Sequence, residues 1–394
     1  MPMDPDDYSQ DMVDDHDAED FYGDQNDDDI EVDDPEEEDD EDNGDDEVMM
    51  GLRRPDAVQG FFLHKEPVYT VTMHPTQDSI VVSGGGDDSA YVWSSETSEV
   101  VKQLTSHTDS VVASGFSFDG QYLATGGMDG RLFVYKVSTG EQVLELDGPA
   151  EVTWLNWHPR GNALLCGSSD GTLWMWAIPS GQCMNVFTGH SGSVSCGQFS
   201  PDGKSIVSGG EEGNLYNWDP RTAAVKQLFR SDDARFLNGS SVTSVGVHQD
   251  SQVVLAGGQD GSASLVHMGS GRILGSVSKA EDSIESIGFS SHLPIASVAS
   301  IDGTVALWDI TAMRLRQTFR HPKGVTKTIF LKTKPLLLSA SLDKTVRLWD
   351  LRTGSFVRSF YGHSGPILDM SIGGSETSFV SCGEDGSAQV FLIE

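Results

Sequence analysis

The chain has 394 residues, of which 61 are acidic and 25 are basic, and its formal net charge is −36. Residues 1–50 contain 26 acidic residues and neither Lys nor Arg, so residues 51–394 carry a net charge of only −10. This charge argues against nonspecific nucleic-acid binding, because that activity needs a basic surface to neutralise phosphates. The 43 glycines argue against a helical bundle and are typical of a turn-rich body.

Residues 1–50 form the first predicted segment, an acidic tail. Residues 36–42, which read EEEDDED, are typical of it: the tail has few apolar side chains to bury and no cation to pair with its carboxylates. Such a segment cannot offset the entropy of ordering, so we expect it to be disordered. It either confers solubility or attracts a cationic partner electrostatically, and the sequence leaves both open. Residues 51–57 are predicted to be a linker.

The sequence predicts neither secretion nor a membrane span. The first residues have no charged and apolar signal pattern, and no apolar run approaches the about 20 residues that cross a bilayer. The four cysteines form no C-x-x-C pair, which favours a reducing compartment. We therefore expect a cytoplasmic protein, with nuclear residence left open.

Eight repeats follow. In each, an acidic turn residue precedes a large hydrophobic residue by six positions, and the intervals between successive acidic residues are 42, 41, 42, 48, 42, 41 and 42. The interval of 48 contains a polar insertion at residues 231–240. A period near 42 with strands throughout is typical of propeller blades. The pairs are Asp87 and Trp93, Asp129 and Tyr135, Asp170 and Trp176, Glu212 and Trp218, Asp260 and Val266, Asp302 and Trp308, Asp343 and Trp349, and Asp385 and Phe391.

Each repeat reads as four antiparallel strands, but the eighth has only three before the sequence ends. Residues 58–63 precede the first repeat as an outer strand would. We expect this segment to pair with the last blade, which closes a ring over residues 58–394 and removes the exposed sheet edge.

The dipeptides at the blade ends resemble those of a known family. Gly-His at residues 189–190 and 362–363, and Trp-Asp at residues 218–219, 308–309 and 349–350, are similar to the signature of WD40 repeats. The resemblance covers about residues 58–394 and implies an all-β fold, an eight-bladed WD40 β-propeller that follows the disordered acidic tail.

A further regularity resembles the hydrogen-bonded tetrad of WD40 blades. In five repeats a His stands 22 or 23 residues before the acidic residue and a Ser or Thr stands four before it. The resemblance implies a structural role, in which partly buried polar groups satisfy one another. Repeats three, five and six depart from it, with Cys166, Ala256 and Val298 at the hydroxyl position. The expected tetrads are His64, Ser83, Asp87 and Trp93; His107, Thr125, Asp129 and Tyr135; His190, Ser208, Glu212 and Trp218; His321, Ser339, Asp343 and Trp349; and His363, Ser381, Asp385 and Phe391.

The His and Asp residues could also suggest a metal site or an acid–base pair. Their fixed spacing, repeated blade by blade, favours architecture instead. Residues 167–171 match G-x-S-x-G, but they lie between strands rather than before a helix, and no phosphate-binding loop occurs. We therefore expect no enzyme activity, no metal and no cofactor.

The loops that enter the first strand of each blade and those that join its second and third strands are predicted to share one face, the usual binding face of a propeller. That face is acidic with a few apolar members, which suits a short basic peptide. The alternative is a merely solvated rim. The expected partner-binding residues are Glu66, Tyr69, Asp109, Met128, Glu151, Glu211, Glu281, Asp282, Glu285, Leu368 and Glu384.

Three phrases carry a narrower resemblance: WLNWHP at residues 154–159, DGTLWMW at residues 170–176 and SIESIGF at residues 283–289. They are similar to the family of the angio-associated migratory cell protein and its fungal counterpart, the suppressor-of-QSR-truncations protein. The fungal member is a dedicated chaperone that binds the N-terminal segment of a basic large-subunit ribosomal protein, L-ten (L-sixteen in universal naming), on an acidic propeller face. The resemblance places that role on Glu285, Glu384, Glu151 and Glu211.

The predicted function is therefore capture of this basic segment by a monomer that binds neither nucleic acid nor membrane. Two alternatives remain open at this point, because a WD40 fold does not fix a partner. One is a scaffold or adaptor in a signalling or ubiquitin-ligase complex. The other is a histone chaperone, which would share the acidic tail.

Overall fold

The structure, a computed structural model, describes residues 55–393, apart from the side chains of Asn238, Ser278 and Lys279. The acidic tail and residues 51–54 of the predicted linker lie outside the described residues. Within them the chain forms 32 strands and one 3-10 helix, arranged as eight four-stranded antiparallel sheets. The predicted all-β, eight-bladed propeller is confirmed. No helix in this part of the chain has the length and apolar content to cross a membrane.

The first four blades each use four consecutive strands. In every blade these run in chain order from the innermost strand, at the centre of the ring, to the outermost strand. Their strands are β2 Val68–Met73, β3 Ile80–Gly85, β4 Ala90–Ser94 and β5 Val100–Leu104 (blade one); β6 Val111–Phe116, β7 Tyr122–Gly127, β8 Leu132–Lys136 and β9 Glu141–Leu146 (blade two); β10 Val152–Trp157, β11 Ala163–Ser168, β12 Thr172–Ala177 and β13 Gln182–Thr188 (blade three); β14 Cys196–Phe199, β15 Ile206–Gly209, β16 Leu215–Trp218 and β17 Val225–Phe229 (blade four).

The second half repeats this plan, and the last blade borrows its outer strand from the start of the described chain. The strands are β18 Val242–Val247, β19 Val253–Gly258, β20 Ser262–His267 and β21 Arg272–Lys279 (blade five); β22 Ile284–Phe289, β23 Ile295–Ser300, β24 Thr304–Asp309 and β25 Arg314–Arg320 (blade six); β26 Val325–Phe330, β27 Leu336–Ser341, β28 Thr345–Asp350 and β29 Ser355–Tyr361 (blade seven); β30 Ile367–Ile372, β31 Ser378–Gly383, β32 Ala388–Leu392 and β1 Gln59–Phe61 (blade eight).

The ring closes through β1. This strand pairs antiparallel with β32, with Gln59 opposite Val390 and Phe61 opposite Ala388. Asp56, which the sequence assigned to the linker, is also held: its backbone N–H donates to Tyr361 O at 2.7 Å, and its carboxylate forms an ion pair with Arg358 at 3.2 Å. Pairing β32 in this way leaves no open sheet edge in blade eight at that position.

The core lies between neighbouring blades. Val305 and Phe319 of blade six, for example, pack against Leu337 and Trp349 of blade seven, and all four are at most 6% exposed. Because the two faces of each sheet are both covered by neighbours, the inner strands read as nearly continuous apolar and small residues rather than as strict alternation.

The insertion between blades four and five is less polar than the sequence suggested. It contains the 3-10 helix Leu237–Gly239. Phe236 and Leu237 are 0% and 3% exposed and pack with the apolar residues between blades four and five. Burial of these two side chains anchors the insertion, and its remaining described residues provide the polar outer surface.

Candidate peptide-binding face

One backbone hydrogen bond recurs in all eight blades and brings two sets of loops together. The residue just before each acidic turn residue donates its N–H to a carbonyl in the loop that enters the innermost strand. We call the face that carries these loops the upper face. The bonds are Gly86 to Pro67, Met128 to Ser110, Ser169 to Glu151, Glu211 to Ser193, Gln259 to Ser241, Ile301 to Ser283, Leu342 to Gly324 and Glu384 to Pro366, at 2.8–3.0 Å.

A bulge in the innermost strand determines which side chains reach this face. In blades three, five and seven the bulged residue is Thr153, Thr243 or Thr326, and its hydroxyl donates to a carbonyl at the start of the next blade. In blades one, six and eight the same position holds Tyr69, Glu285 or Leu368. Bulges commonly re-aim a side chain. The threonines therefore link neighbouring blades, whereas Tyr69 and Glu285 are exposed and open to a partner.

The upper face is acidic. All eight predicted carboxylates are exposed, and within residues 55–393 none of them forms an ion pair. They lie in loops or at a bulge of blades one, two, three, four, six and eight. These residues are Glu66, Asp109, Glu151, Glu211, Glu281, Asp282, Glu285 and Glu384.

Apolar side chains interrupt this acidic surface. Tyr69 is 39% exposed and Met128 is 46% exposed, while Leu368 is half-buried. Lys65 and Lys323 are exposed cations on the same set of loops. The structure thus brings every predicted partner-binding residue to the upper face, with carboxylates in clear excess over cations.

Behind this face, three blades carry a complete tetrad. The His Nδ1–H donates to the acidic residue, the Ser hydroxyl donates to the His Nε2, and the Trp Nε1–H donates to the same hydroxyl oxygen. In blade seven the three bonds are His321 to Asp343 at 2.8 Å, Ser339 to His321 at 2.7 Å and Trp349 to Ser339 at 2.8 Å. Blade one has the same bonds among His64, Ser83, Asp87 and Trp93, and blade four has them among His190, Ser208, Glu212 and Trp218.

Blades two and eight depart at the fourth member. His107 binds Asp129 and Thr125, but the Tyr135 hydroxyl donates to Ser106 Oγ at 3.2 Å rather than to Thr125. In blade eight, His363 binds Asp385 and Ser381, while Phe391 has no donor and stacks on Phe379 with ring centroids 5.0 Å apart. An aromatic ring at this position therefore contributes packing even where it cannot close the hydrogen-bond network.

Three of the five tetrad histidines have a pKa that burial lowers. Burial lowers the pKa of His321 below its ordinary value of 6.5, against the opposing effect of Asp343, and it does the same for His64 and His107. Burial alone would raise the pKa of the Asp343 carboxyl, but the hydrogen bonds from His321 and Thr345 and the nearby charge of Arg347 outweigh it and hold that pKa below 3.8. In blade seven a neutral imidazole therefore lies beside an ionised carboxylate, and all five tetrad histidines are at most 8% exposed.

Residues 55–393 contain no group of three or more His, Cys, Asp or Glu side chains placed to hold a metal ion. All four cysteines are free thiols. Burial raises the pKa of the Cys196 thiol to about 12, so it is not a thiolate at neutral pH.

In blades three, five and six the turn between the second and third strands forms without a tetrad. Asp170, Asp260 and Asp302 each accept hydrogen bonds from the N–H and hydroxyl of the residue two positions on, which is Thr or Ser. This local bond fixes the turn whether or not a His is present. The fold and its repeated turn together define a WD-repeat propeller.

Comparison with known proteins agrees with this class. The family model for the first β-propeller of IFT122 matches residues 112–391, and the model for the WD domain, G-beta repeat, matches residues 57–94. The human angio-associated migratory cell protein is 32% identical over 354 residues, which cover 86% of this chain and 80% of that protein. The chain therefore belongs to the WD40-repeat propeller family, together with the angio-associated migratory cell protein.

Two fungal proteins are also similar. The ribosome assembly protein SQT1 of Saccharomyces cerevisiae is 24% identical over 374 residues, covering 84% of this chain and 86% of that protein. The crystal structure of Chaetomium thermophilum Sqt1 bound to the N-terminus of ribosomal protein L10 superposes with a TM-score of 0.82 at 29% identity, covering 86% of this chain and all of that one.

Proposed function

We propose that this protein is a non-enzymatic chaperone. Its upper face holds the basic N-terminal segment of a large-subunit ribosomal protein, L10, and the complex delivers that protein for ribosome assembly. The observation that carries the proposal is the set of eight exposed upper-face carboxylates without an ion-pair partner among the described residues.

The charges support a reversible interaction. An exposed carboxylate–cation pair contributes about 0–1 kcal/mol. Several such contacts are therefore needed for useful affinity, and all of them weaken as salt screens them. Electrostatic complementarity also speeds association and selects against acidic partners. A newly made ribosomal protein is a polycation that normally meets RNA, and carboxylates spread over six blades can substitute for that RNA until the assembling ribosome competes for the same segment.

Apolar side chains on the same face favour the binding of a peptide over nonspecific attraction of small cations. Tyr69 and Met128 are exposed beside the carboxylates, and aromatic and Met side chains are frequent anchors at interfaces. An extended basic segment with one or two apolar residues could contact both kinds of group.

The comparisons support the identity of the partner. A structure 29% identical to this chain contains the N-terminus of ribosomal protein L10, and a relative is a ribosome assembly protein. We carry the partner over to this chain as part of the proposal. We further propose that it acts as a monomer in the cytoplasm, where ribosomal proteins are made.

Calorimetry of the full chain with a peptide of the first twenty or so residues of its own ribosomal protein L10 tests this function. We expect binding that weakens between low and physiological salt and that is lost in Glu285→Lys. Glu141→Lys is the matched control, because it makes the same change of charge at an exposed residue that begins the outer strand of blade two. Equal binding by both variants would contradict the proposal. Preference for a histone-tail peptide would favour the histone-chaperone alternative.

A further inference from the structure

Blade six contains a cleft that shares one residue, Glu281, with the upper-face carboxylates. Its volume is about 270 Å³, and it lies between the loop before β22 and the outer strands β24 and β25. Ala280 and Ala306 line it together with Trp308, Leu315 and Asp302. We call this space the blade-six cleft.

Blade six differs from blade seven at three positions of the repeat, and at two of them, which line the cleft, alanine replaces a longer side chain. The positions are 22 residues before, four before and four after the acidic turn residue. Blade seven has a ring, a hydroxyl and a guanidinium there, whereas blade six has two methyl groups and an isopropyl group. The residues are His321, Ser339 and Arg347 in blade seven, and Ala280, Val298 and Ala306 in blade six.

The backbones agree at these positions, so the comparison is one of side chains. The His321 N–H donates to Gly303 O at 2.9 Å, and the Ala280 N–H donates to Gly261 O at 2.9 Å in the same way. Leu337 pairs with Trp349 in blade seven as Ala296 pairs with Trp308 in blade six. The two blades differ in the side chains at these positions.

Blade seven shows which group fits beside the turn carboxylate. One nitrogen of the Arg347 guanidinium, Nη2, lies 3.5 Å from Asp343 Oδ2, and the other, Nη1, donates to Arg320 O at 3.0 Å. The Arg347 side chain is 21% exposed, so most of its length is covered by the protein. A guanidinium is suited to this arrangement because its donors point in a fixed fork toward two acceptors.

In blade six the carboxylate is present and the donor is absent. Asp302 accepts hydrogen bonds from the Thr304 N–H and hydroxyl and from the Glu281 N–H, at 2.7–2.9 Å. It receives no imidazole N–H, because Ala280 replaces the histidine, and no guanidinium, because Ala306 replaces the arginine. Burial alone would raise the pKa of Asp302, but these hydrogen bonds outweigh it and keep the carboxyl ionised at neutral pH.

The walls suit an arginine side chain as well. Trp308 and Leu315, which is 49% exposed, offer apolar surface to an aliphatic stem. Glu281 and Arg320 are further lining residues of the cleft. Among the described residues that line the cleft, two are acidic and one is basic, a formal net charge of −1 that favours a cationic guest.

We propose that the blade-six cleft binds an arginine side chain of a protein partner, with its guanidinium beside Asp302 in the position that Arg347 occupies in blade seven. Of the eight upper-face carboxylates, only Glu281 also lines this cleft. It would recognise arginine rather than lysine, because an ammonium cannot bridge two acceptors in a fixed geometry.

Fluorine NMR of the full chain labelled with 5-fluorotryptophan tests the site without a protein partner. The chain has eight tryptophans, and Trp308→Phe assigns the signal of Trp308. We expect N-acetyl-arginine N-methylamide to shift that signal saturably, with a dissociation constant of about 1 mM. The citrulline analogue has the same shape without the charge, and we expect it and the lysine analogue to bind at least about tenfold more weakly.

Two substitutions in the cleft serve as controls. Ala306→Arg should fill the cleft as blade seven does and abolish the arginine-dependent shift. Ala306→Gln, the residue type that blade eight has at this position, should do so without adding charge, which keeps the test valid if the arginine variant does not fold. Glu285→Lys should leave the shift unchanged. Absence of a saturable shift in the unaltered chain, an equal shift with citrulline, or a shift that survives Ala306→Gln would overturn the proposal.

Discussion

Blades six and seven are consecutive repeats with matching backbones and different interiors. In blade seven, Trp349 stacks on Phe319 with centroids 4.3 Å apart and donates its N–H to Ser339. In blade six, Val298 replaces the hydroxyl, and the buried Trp308 Nε1 has no hydrogen-bond partner among the described residues. Both blades nevertheless form complete four-stranded sheets.

The difference separates what forms a blade from what fills it. The turn carboxylate and the Thr two positions later are present in both repeats, and they fix the turn between the second and third strands. The tetrad fills the interior between the blade and its neighbour. Blades three, five and six keep the same strand order without a tetrad, so tetrads stabilise blades that other interactions already define.

Removal of the indole should have the largest effect and should differ between the two blades. Trp349→Ala should lower the free energy of unfolding by about 3–5 kcal/mol, because it removes a 6% exposed ring and its stacking partner's contact. Trp308→Ala should cost clearly less, since Trp308 is only half-buried and already borders a cleft. Urea denaturation measures both, and an equal loss would break the comparison.

Exchange of the hydroxyl position should have an intermediate effect. Ser339→Val, which gives blade seven the side chain of blade six at this position, should cost about 1–3 kcal/mol, because it leaves the Trp349 N–H and the His321 Nε2 without a partner. The reverse change, Val298→Thr, offers Trp308 an acceptor and should alter stability by less than about 1 kcal/mol. The same denaturation assay applies. If Val298→Thr lowered the free energy of unfolding as much as Ser339→Val does, the hydroxyl would not account for the difference between the two blades.

Acid should weaken the tetrad blades. The pKa of His321 is lowered in the folded state, so the unfolded chain binds a proton more readily as pH falls below 6.5. The stability contributed by the neutral ring is therefore complete above pH 6.5 and is lost progressively as the pH falls toward the folded-state pKa. The lowered pKa of Asp343 acts in the same direction at lower pH.

Unfolding midpoints measured between about pH 7.5 and pH 5 should therefore decrease toward acid. His321→Gln should show a smaller decrease over this range, although it starts from a lower stability. A pH dependence that is unchanged in this variant would show that the buried imidazole of blade seven does not contribute to it.

The smallest effect is expected on the upper face. Glu285→Lys and Glu384→Lys should change the unfolding free energy by no more than about 0.5 kcal/mol, because both side chains are exposed and unpaired among the described residues. Thermal unfolding followed by circular dichroism measures this. A large loss would assign these carboxylates to the fold and remove them from the binding face.

Much of this fold could be predicted because its determinants recur at fixed spacing. The acidic turn residue and the hydrophobic residue six positions later identified all eight blades, and the His before them located five networks of His, acidic residue and hydroxyl, of which three are complete tetrads. Closure by β1 could be anticipated from the missing outer strand. Each of these features is a local pattern, and its physical cause lies within one repeat or between adjacent repeats.

The features that sequence did not predict depend on contacts between repeats. The link from Tyr135 to Ser106 replaces the expected partner Thr125, and spacing within a repeat cannot tell two hydroxyls apart. The burial of Phe236 was not predicted, because most residues around it in the insertion are polar. The sequence did not identify the links between blades that Thr153, Thr243 and Thr326 form. The position of the bulge in the structure shows that blades three, five and seven have Thr at the same place.

Amide hydrogen exchange of the full chain, with and without the basic N-terminal peptide of ribosomal protein L10, tests the central claim most directly. The account predicts protection in upper-face loops, around residues 65–69, 281–285 and 384–385, with the turns at residues 74–78 and 200–203 on the opposite face unchanged. Protection confined to residues 1–50 or to the opposite face would contradict capture by the upper-face carboxylates.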